Sequence, residues 1–349
     1  MSWPNDVQSA SIQRVVDAQA FLALEHCGLD TIAAWQTRQL NALAQWLFEQ
    51  VPWWRERLGA GVDATHWASI PILSRFELRS MVALHGAAPV PKPHGGVSAA
   101  QRNGAQTGGG VGTNAHYFVS AFAQRLINHA FYADHQRQGR NPFLPHACIA
   151  EDIPLHSGEH LLTAASMVHS QGPQALRNVE LFTKAQHIHW IAQQQPTYLT
   201  VRPDWFEVAL VHAVANKQPL PEIRQLLTFG ATATDGLRRK ARQWLGASVR
   251  HRYTCPECGP LAFQCPRSDA HHHVAVGNVK LEVVDDAGQL LPVADSDTTP
   301  MPGRVLVTAL HQYATPLLRY DTGDVAALHA GCPGCGLAVP TLSALRQNV

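Results

Sequence analysis

Apolar residues near the start of the chain recur at helical spacing. From Thr31 to Val51 they repeat about every 3.6 residues, and Pro52 ends the run. A second helical pattern begins at Arg75, with Ser74 as its N-cap. The Pro- and Gly-rich stretch 89–96 excludes regular structure and predicts a connector. The first part of the chain is therefore predicted to be helical.

Further along the chain, the pattern changes from alternating strands and helices to strands alone. From about 99 to 260 short apolar runs alternate with helical patterns, which favours an α/β sheet core. After 270 alternation at a period of two predicts β-structure. The clearest segments are the strand Leu226–Phe229, the amphipathic helix Asp235–Leu245 and the strands Ser248–Tyr253, Val279–Val284 and Gly303–Thr308. We therefore predict an α/β fold with mixed sheets flanked by helices and a smaller β-rich subdomain. Its predicted divisions are 1–98, 99–268 and 269–349.

The composition narrows the class of protein. The 349 residues are 46% hydrophobic and 15% charged, which excludes a disordered or fibrous chain. A net charge of +1 disfavours a nucleic-acid-binding face. No apolar run reaches the roughly 20 residues of a membrane span. The segment Met1–Asp6 lacks the features of a signal peptide, so we expect a cytoplasmic protein without membrane or nucleic-acid partners.

The segment Gln106–Asn114 is rich in glycine. Glycines allow backbone N–H groups to approach an anion, and Thr hydroxyls add donors, so this loop is a candidate phosphate cradle. It matches neither the Walker pattern nor Gly-x-Gly-x-x-Gly in a βαβ context. Taken alone, it is more simply interpreted as a flexible loop.

Two further segments carry carboxylates at positions suited to nucleotide chemistry. Glu257 follows a predicted strand and lies beside a glycine, where a carboxylate can bind Mg²⁺ together with phosphate oxygens. Asp324 follows a turn glycine, where it can accept hydrogen bonds from a ribose diol. The alternatives are a solvated loop Glu and an Asp that caps its own turn.

Five of the seven cysteines lie between 255 and 335. The pairs Cys255-x-x-Cys258 and Cys332-x-x-Cys335 have the spacing of a Cys₄ zinc ribbon, although a long stretch separates them and Glu257 lies inside the first pair. Free buried thiols are the alternative. We expect Cys27 and Cys148 to be core residues and His251 to be a structural histidine with satisfied hydrogen bonds.

The order of these segments is more specific than any one of them. Together, the glycine-rich loop, Tyr253–Gly259 and Pro316–Asp324 resemble the phosphate, metal and ribose motifs of the adenylate-forming (AMP-binding, acyl/aryl-CoA synthetase-like) superfamily. Within it the chain is similar to the phenylacetate–CoA ligase and capsule-synthesis (coronafacate-synthetase-like) branch. The segments Val51–Arg57, Ile70–Arg75 and Phe229–Thr232 resemble further signatures of that branch. The resemblance implies that the core 99–268 binds nucleotide.

The resemblance implies a role for each matching position. Glu257 would hold Mg²⁺, with Thr107 and Thr113 as the remaining hydroxyls of the phosphate loop. The nucleotide pocket would involve Gly109, Gly112, Gly230, Ala231, Thr232, Tyr253 and Asp324. Tyr117 and Phe118 would contact an aromatic substrate. The branch also implies a Cys₃His zinc site at Cys265, His273, Cys332 and Cys335, with His271 and His272 as alternates.

The chain departs from the family pattern in two places. Gly108, Gly110, Val111 and Asn114 replace residues of the phosphate motif, which removes three hydroxyl donors worth about 1.5–3 kcal/mol each. The sequence ends at Val349, near the family's hinge, so the small C-terminal domain and its lysine are expected to be absent. In this the chain is similar to truncated adenylating proteins of phenazine-antibiotic biosynthesis.

The function implied is ATP-dependent activation of an aromatic carboxylic acid, such as a phenazine-type acid, as an acyl adenylate in secondary metabolism. The product would pass to a partner reductase, a carrier protein or another acceptor, and a separate C-terminal domain would supply the lysine unless adenylation proceeds without it. ATP, Mg²⁺ and structural zinc are the expected cofactors. The alternative is a non-catalytic protein that binds an adenylate or aryl acid and has a decayed phosphate loop.

Overall fold

Helices predominate at the start of the chain and strands at its end. The computed structural model describes residues 19–59, 64–101, 116–150, 153, 172–295 and 298–347. Residues 19–25 are helical, and the later helices are α1 (Leu29–Gln50), α2 (Pro52–Leu58), α3 (Arg75–His85), α4 (Ala121–Arg137), α5 (Lys184–Gln194), α6 (Pro203–Ala215) and α7 (Asp235–Leu245). No helix in these ranges is long and apolar enough to cross a membrane.

The strands follow the predicted change in pattern. They are β1 (Val97–Gln101), β2 (His116–Ser120), β3 (His146–Ala150), β4 (Gln174–Asn178), β5 (Tyr198–Val201), β6 (Gln225–Thr228), β7 (Ser248–Cys255), β8 (Gly259–Gln264), β9 (His272–Val274), β10 (Val279–Val284), β11 (Gly303–Ala309), β12 (Tyr320–His329) and β13 (Thr341–Arg346). Helix α7 and strand β10 have the predicted bounds. The prediction for Ser74 is also confirmed, since its hydroxyl accepts the Glu77 backbone N–H in a capping box.

Contacts group the described residues into two compact units. The first takes in those within Met1–Gly104, Thr113–Arg137 and Thr254–Arg346, and the second those within Gln138–Tyr253 together with Gln347. In the first unit, the Gln36 side chain of α1 donates to the backbone oxygens of Val276 and Val279 at 2.9 and 3.0 Å. The helical and β-rich stretches that the sequence pattern separates therefore lie in one unit.

The first unit is built on antiparallel strands. Its sheet has the order β10-β11-β12-β13-β9-β8, and β1 pairs with β2 in a separate antiparallel ribbon. The segment before α3 is fastened to β12, because Leu73 exchanges backbone hydrogen bonds with Arg319 and Asp321 at 3.0 and 2.9 Å. Buried Arg319 also donates to the backbone oxygen of Ile70 at 2.7 Å. These bonds hold the beginning of β12, and the motif it carries, in a fixed position.

The second unit is a parallel sheet with helices packed on it. Its strand order is β4-β3-β5-β6-β7, and every neighbouring pair is parallel. Continuous apolar strands pack against α5, α6 and α7, as expected where crossover helices cover a parallel sheet. In such a sheet ligands bind beyond the carboxyl ends of the strands. The residues after β6 and near the end of β7 are therefore candidates for ligand binding.

Two cysteines outside the 255–335 cluster have different environments. Cys148 lies in β3 and is fully buried, as expected of a core residue. Cys27 is exposed, so the prediction that it belongs to the core is wrong. It lies after the helical residues 19–25, in a turn whose residues do not pack inward, and its thiol donates to the Ala23 oxygen at 3.1 Å.

Candidate functional site

Glu257 lies in the tight turn that joins β7 to β8 in the first unit. The Cys258 N–H donates to the Cys255 oxygen at 3.3 Å and closes the turn, and the Glu257 side chain is only 4% exposed. Its carboxylate accepts hydrogen bonds from the Cys255 thiol at 2.8 Å and from the Tyr320 hydroxyl at 3.1 Å. Gln312 donates to the Glu257 backbone oxygen at 3.0 Å. Both carboxylate oxygens are thus held in place.

The two donors to this carboxylate remain protonated at neutral pH. Burial, followed by the charge of Glu257, raises the pKa of Tyr320 far above its usual range, while a hydrogen bond from Arg75 opposes the increase. A hydrogen bond to Cys258, together with burial, raises the pKa of the Cys255 thiol. Each Glu257 oxygen accepts one of these bonds and keeps a second lone pair. The carboxylate therefore retains the capacity to bind a cation, and the site fits Mg²⁺.

The segment that resembles a ribose motif forms an irregular part of β12. Against β11, the pairing passes from Leu306↔Asp321 to Arg304↔Val325, so the segment between them bulges. Gly323, at its centre, has a φ of 79°, which favours glycine. Asp324 follows and is 9% exposed, with its N–H donating to the Thr322 hydroxyl at 3.2 Å. Bulges are common beside active sites, and Asp324 keeps its place among the buried positions of the strand, in alternation with Tyr320 and Thr322.

In the second unit, the structure brings two of the predicted nucleotide-binding segments to neighbouring strands. Gly230, Ala231 and Thr232 follow β6 after one intervening residue, and Tyr253 lies near the carboxyl end of the adjacent β7. Gly230 has a φ of 76°, Ala231 is buried and Thr232 is exposed. Tyr253 is fully buried. Their proposed roles toward a nucleotide remain predictions.

The predicted substrate residues lie on β2 in the first unit. Tyr117 is buried in a small cluster with Val119 and Ala123, and Phe118 is half-buried. The Phe118 N–H donates to the Thr315 hydroxyl at 2.7 Å, which ties β2 to the segment before β12. A substrate contact at either residue remains a prediction. The phosphate-loop residues Thr107, Gly109, Gly112 and Thr113 lie outside the described residues.

The first unit also contains a group of potential metal ligands. The ligand atoms of Cys265, His273, Cys332 and Cys335 all lie within 4.8 Å of one another, and the Cys335 sulfur is 3.4 Å from His273 Nε2. Cys265 directly follows β8, His273 lies in β9, and β9 pairs with both β8 and β13. Strand pairing therefore brings together residues that are far apart in sequence. Cys255 and Cys258 lie at Glu257 instead.

The fit of this group to zinc can be judged from its donors. Zinc bonds of about 2.0–2.3 Å in a tetrahedron separate the ligand atoms by roughly 3.5–3.8 Å, which is close to the observed grouping. The Arg267 N–H donates to the Cys265 sulfur at 3.4 Å, and the N–H groups of Gly334 and Cys335 donate to Cys332. Burial raises the pKa of the Cys265 and Cys332 thiols, and these backbone donors oppose the increase because they stabilise the thiolates. Burial lowers the pKa of His273 to about 3, which keeps the imidazole in its neutral, ligating form. The residues fit zinc.

Comparisons with known proteins bear on the fold. No family model matches the chain, and no curated protein matches it. Among solved structures, it is similar to 2-hydroxyisobutyryl-CoA ligase in three states. For an open conformation in complex with 2-HIB-AMP and CoA, the TM-score is 0.69 at 17% identity, covering 88% of this chain and 72% of that one. For a postadenylation state the TM-score is 0.70 at 16% identity, covering 88% of this chain and 65% of that one. For a thioesterification state the TM-score is 0.68 at 17% identity, covering 88% of this chain and 66% of that one.

These similarities decide the architecture. The fold is that of the large N-terminal domain of adenylate-forming enzymes. The chain spans between 65% and 72% of the length of these three ligase structures. The predicted mixed α/β class, with strands flanked by helices and a β-rich part, is confirmed.

Few features of the sequence indicate which side chains surround Glu257. Tyr320 follows Arg319 in the ribose-like motif, and membership of this motif is the sequence feature that points to a role for Tyr320 at the site. Arg75 was identified only as a helix start, yet it shares a hydrogen bond with the Tyr320 hydroxyl. Gln312 lies in a segment with no recognisable pattern, and nothing in the sequence indicates its bond to the Glu257 backbone. These partners are brought together by tertiary contacts alone.

His251 is a buried structural histidine in the second unit, as predicted. It is 1% exposed, its Nε2 lies 3.0 Å from the Gln347 side-chain oxygen, and it also hydrogen-bonds the Ala231 backbone. Burial and the nearby Arg238 lower its pKa to about 4. An unfolded chain binds this proton near pH 6.5, so between pH 6.5 and 4 the unfolded state binds more protons than the folded state. Stability from this group is therefore present above pH 6.5 and is lost as the pH falls toward 4.

We expect the free energy of unfolding of the wild type, relative to His251→Gln, to fall by on the order of 3 kcal/mol between pH 7 and pH 4. Glutamine retains hydrogen-bonding capacity and cannot take up the proton. Urea unfolding of both proteins at several pH values measures the difference, with His212→Gln, an exposed position of the same unit, as the matched control. If the difference in free energy of unfolding between the wild type and His251→Gln stayed constant from pH 7 to pH 4, the lowered pKa assigned to His251 would be contradicted.

Proposed function

We propose that this protein activates a carboxylic acid with ATP to form an acyl adenylate. One observation carries the proposal: the Tyr320 hydroxyl of the ribose-like motif donates to the Glu257 carboxylate of the metal-like motif at 3.1 Å. Two motifs recognised separately in the sequence thus meet in a chain with the fold of adenylate-forming enzymes. The structural similarity to the ligase supports the fold, and the motif residues support the chemistry.

The reaction transfers an adenylyl group. A carboxylate oxygen of the acid attacks the α-phosphorus of ATP, the bond to the bridging oxygen breaks, and pyrophosphate leaves with the electron pair. Mg²⁺, when bound, neutralises charge on the phosphate oxygens. Glu257 is the residue that would hold this ion, and Tyr320 and Cys255 orient its carboxylate. Asp324 would bind the ribose hydroxyls. The chain contributes chiefly positioning and electrostatics.

The finer parts of the proposal rest on the family resemblance. The substrate is an aromatic acid, with a phenazine-type acid as one candidate, since the phenylacetate–CoA ligase and capsule-synthesis branch takes aryl carboxylates and Tyr117 and Phe118 supply rings. The acyl adenylate passes to a partner reductase, a carrier protein or a separate C-terminal domain. This assignment places the protein in secondary metabolism, in a route such as antibiotic biosynthesis.

We also propose that Cys265, His273, Cys332 and Cys335 hold a structural zinc ion. The support is the closeness of the four ligand atoms and the backbone N–H groups directed at two of the sulfurs. Structural zinc sites of this type have four protein ligands and no open position. The role of the ion is therefore to fasten the strands of the first unit, and it takes no part in adenylation.

A second function is favoured by the sequence of the phosphate loop. Gly108, Gly110 and Val111 lack the hydroxyls that bind the phosphates in the family motif. A protein with this loop binds an acid or adenylate without making one. In this alternative the protein still has a binding site for the acid, but Glu257 has no catalytic role.

Pyrophosphate exchange into ATP tests the two functions against each other. We expect exchange that depends on an aromatic acid such as benzoate or phenazine-1-carboxylate, with 2-hydroxyisobutyrate as the aliphatic comparison. Exchange with the aliphatic acid alone would retain adenylation and overturn the aromatic assignment. Binding of an acid, measured by calorimetry, without exchange for any member of the panel would establish the binding protein.

A further inference from the structure

The connection between β11 and β12, residues 310–319, is almost entirely buried although it contains no helix or strand. Gln312 and Thr315 within it are 3% and 0% exposed. Connections usually run over the protein surface, because a buried one must find partners for its backbone groups. Here the Leu310 N–H donates to the Asn278 oxygen at 3.0 Å. The connection is therefore fixed within the first unit.

Gln312 supplies a hydrogen bond that the turn carrying Glu257 cannot make for itself. Glu257 is the third of the four residues in the turn that the Cys258 N–H closes onto the Cys255 oxygen, and the carbonyl at this place has no partner inside a turn. The Gln312 side-chain N–H donates to this carbonyl oxygen at 3.0 Å, and both residues are buried. Gln312 thereby fixes the orientation of the peptide next to the Glu257 side chain.

Stability alone does not account for a glutamine at this position. The Gln312 side-chain oxygen is buried and has no hydrogen-bond partner in the part of the chain that the structure describes. Burying an amide with one of its two groups unpaired is unfavourable. Proteins keep such unfavourable groups chiefly at functional sites. The single bond that the Gln312 side chain makes to the Glu257 turn is therefore the reason we assign to this residue.

Thr315 makes a comparable bond to β2. Its hydroxyl accepts the Phe118 N–H at 2.7 Å, and the Thr315 side chain is fully buried. Among the described strands β2 pairs with β1 alone, so its other edge needs partners for its backbone groups. The strand begins two residues after Asn114, at the end of the glycine-rich loop, and carries the predicted substrate residues Tyr117 and Phe118. Thr315 therefore fixes the strand that bears them.

We propose that Gln312 and Thr315 are positioning residues for adenylation. They lie three residues apart on one fixed connection, and they hold the turn of the proposed Mg²⁺ ligand and the strand of the proposed substrate contacts in a constant arrangement. Each acts through the backbone group that it bonds. Misplacing reacting groups by about 1 Å is enough to slow a reaction greatly. This inference rests on the proposed function and adds the residues that align its metal and acid sites.

Gln312→Met tests the first bond, because methionine keeps the volume and loses the donor. We expect kcat for pyrophosphate exchange to fall by about 10- to 100-fold, as for lost outer partners of a metal ligand, with the KM for the acid unchanged. Binding of Mn²⁺, measured by electron paramagnetic resonance without turnover, should weaken by about tenfold. Gln36→Met is the matched control, since Gln36 is also buried and donates to backbone oxygens of the same unit. It should change stability to a similar extent and leave both readouts unchanged.

Thr315→Val tests the second bond with a residue of nearly the same shape. We expect the KM for the acid to rise by about tenfold, the usual effect of losing one buried hydrogen bond, with Mn²⁺ binding unchanged. Thr315→Ser keeps the hydroxyl and should restore the wild-type KM. Thr341→Val is the control, since Thr341 is equally buried in the same unit and its hydroxyl bonds the Val339 oxygen at 2.9 Å. It should leave the kinetics unchanged.

The outcomes separate this inference from the proposed function. Unchanged kcat and Mn²⁺ binding in Gln312→Met, or an unchanged KM in Thr315→Val, would overturn the role of that residue and leave adenylation in place. Equal losses in Gln312→Met and Gln36→Met would make Gln312 a structural residue only. The Thr315 variants decide the inference if Gln312→Met does not fold.

Absence of exchange by the wild type would contradict the proposed function. Mn²⁺ binding and calorimetric binding of the acid would then decide the inference through the same variants and controls. A wild type that neither exchanges pyrophosphate nor binds Mn²⁺ or an acid would overturn both.

Discussion

Replacing Cys332 with serine is expected to remove zinc from the protein and to destabilise it by on the order of 5 kcal/mol, because structural zinc contributes folding free energy directly. The wild type should contain about one equivalent after purification without added metal. In the folded first unit, Cys332 lies in a turn closed by the Gly336 N–H, which donates to the Cys332 oxygen at 2.8 Å. Elemental analysis measures the metal, and urea unfolding measures the stability.

Substitutions of other cysteines distinguish the proposed zinc ligands from the Cys₄ alternative. Cys27→Ser alters an exposed thiol of the same unit and should change neither zinc content nor stability. Cys265→Ser should behave like Cys332→Ser, whereas Cys258→Ser should keep the metal. If Cys258→Ser abolished zinc binding and Cys265→Ser did not, the Cys₄ alternative would replace the proposed ligands. Metal-free protein of full stability would exclude a zinc site.

Replacing Glu257 with glutamine is expected to slow acid-dependent pyrophosphate exchange by about 10²- to 10³-fold, as loss of one group that stabilises charge often does. Glutamine fills the same volume and still accepts a hydrogen bond from Tyr320 or Cys255, so the fold should be retained. The neutral amide binds Mg²⁺ more weakly than a carboxylate does. Exchange assays across a range of Mg²⁺ concentrations measure the change.

Two other substitutions distinguish a catalytic role of Glu257 from a general effect of charge or of nucleotide binding. Glu222→Gln removes an exposed carboxylate of the second unit and should leave exchange unchanged. Asp324→Ala should raise the KM for ATP more than it lowers kcat, because the ribose is remote from the reacting phosphorus. If Glu257→Gln catalysed pyrophosphate exchange at the wild-type rate and with an unchanged Mg²⁺ requirement, Glu257 would not be a catalytic residue.

Local sequence patterns predicted many of the elements but not their grouping. Helix α7 and strand β10 agree with prediction because each carries a strong period and clear terminal residues, such as Thr234 before α7. The prediction that Cys27 lies in the core depends on its place near a helical pattern, and the structure exposes this residue. The sheet pairings that join β9 to β13 are not encoded in any local period.

The candidate sites show the same division. Glu257 and Asp324 were found from motifs because turn glycines and flanking residues mark them in the sequence. The hydrogen bond from Tyr320 to Glu257 joins residues far apart in sequence, so no local pattern indicates it. For the cysteines, spacing alone favours a Cys₄ set, whereas the family resemblance implies Cys265, His273, Cys332 and Cys335. Strand pairing brings the ligand atoms of those four residues together.

From the sequence come the fold class, the positions of several helices and strands such as α7 and β10, and the order of three motifs that resemble those of adenylate-forming enzymes. These depend on periodicity and on short segments whose residues act on their neighbours. Tertiary contacts alone show which hydroxyl and which thiol hold the Glu257 carboxylate, and that Arg75 and Gln312 lie beside them. Except for that of the Cys255 thiol, those contacts join residues distant along the chain, and only packing and strand pairing bring them within a few ångströms of one another.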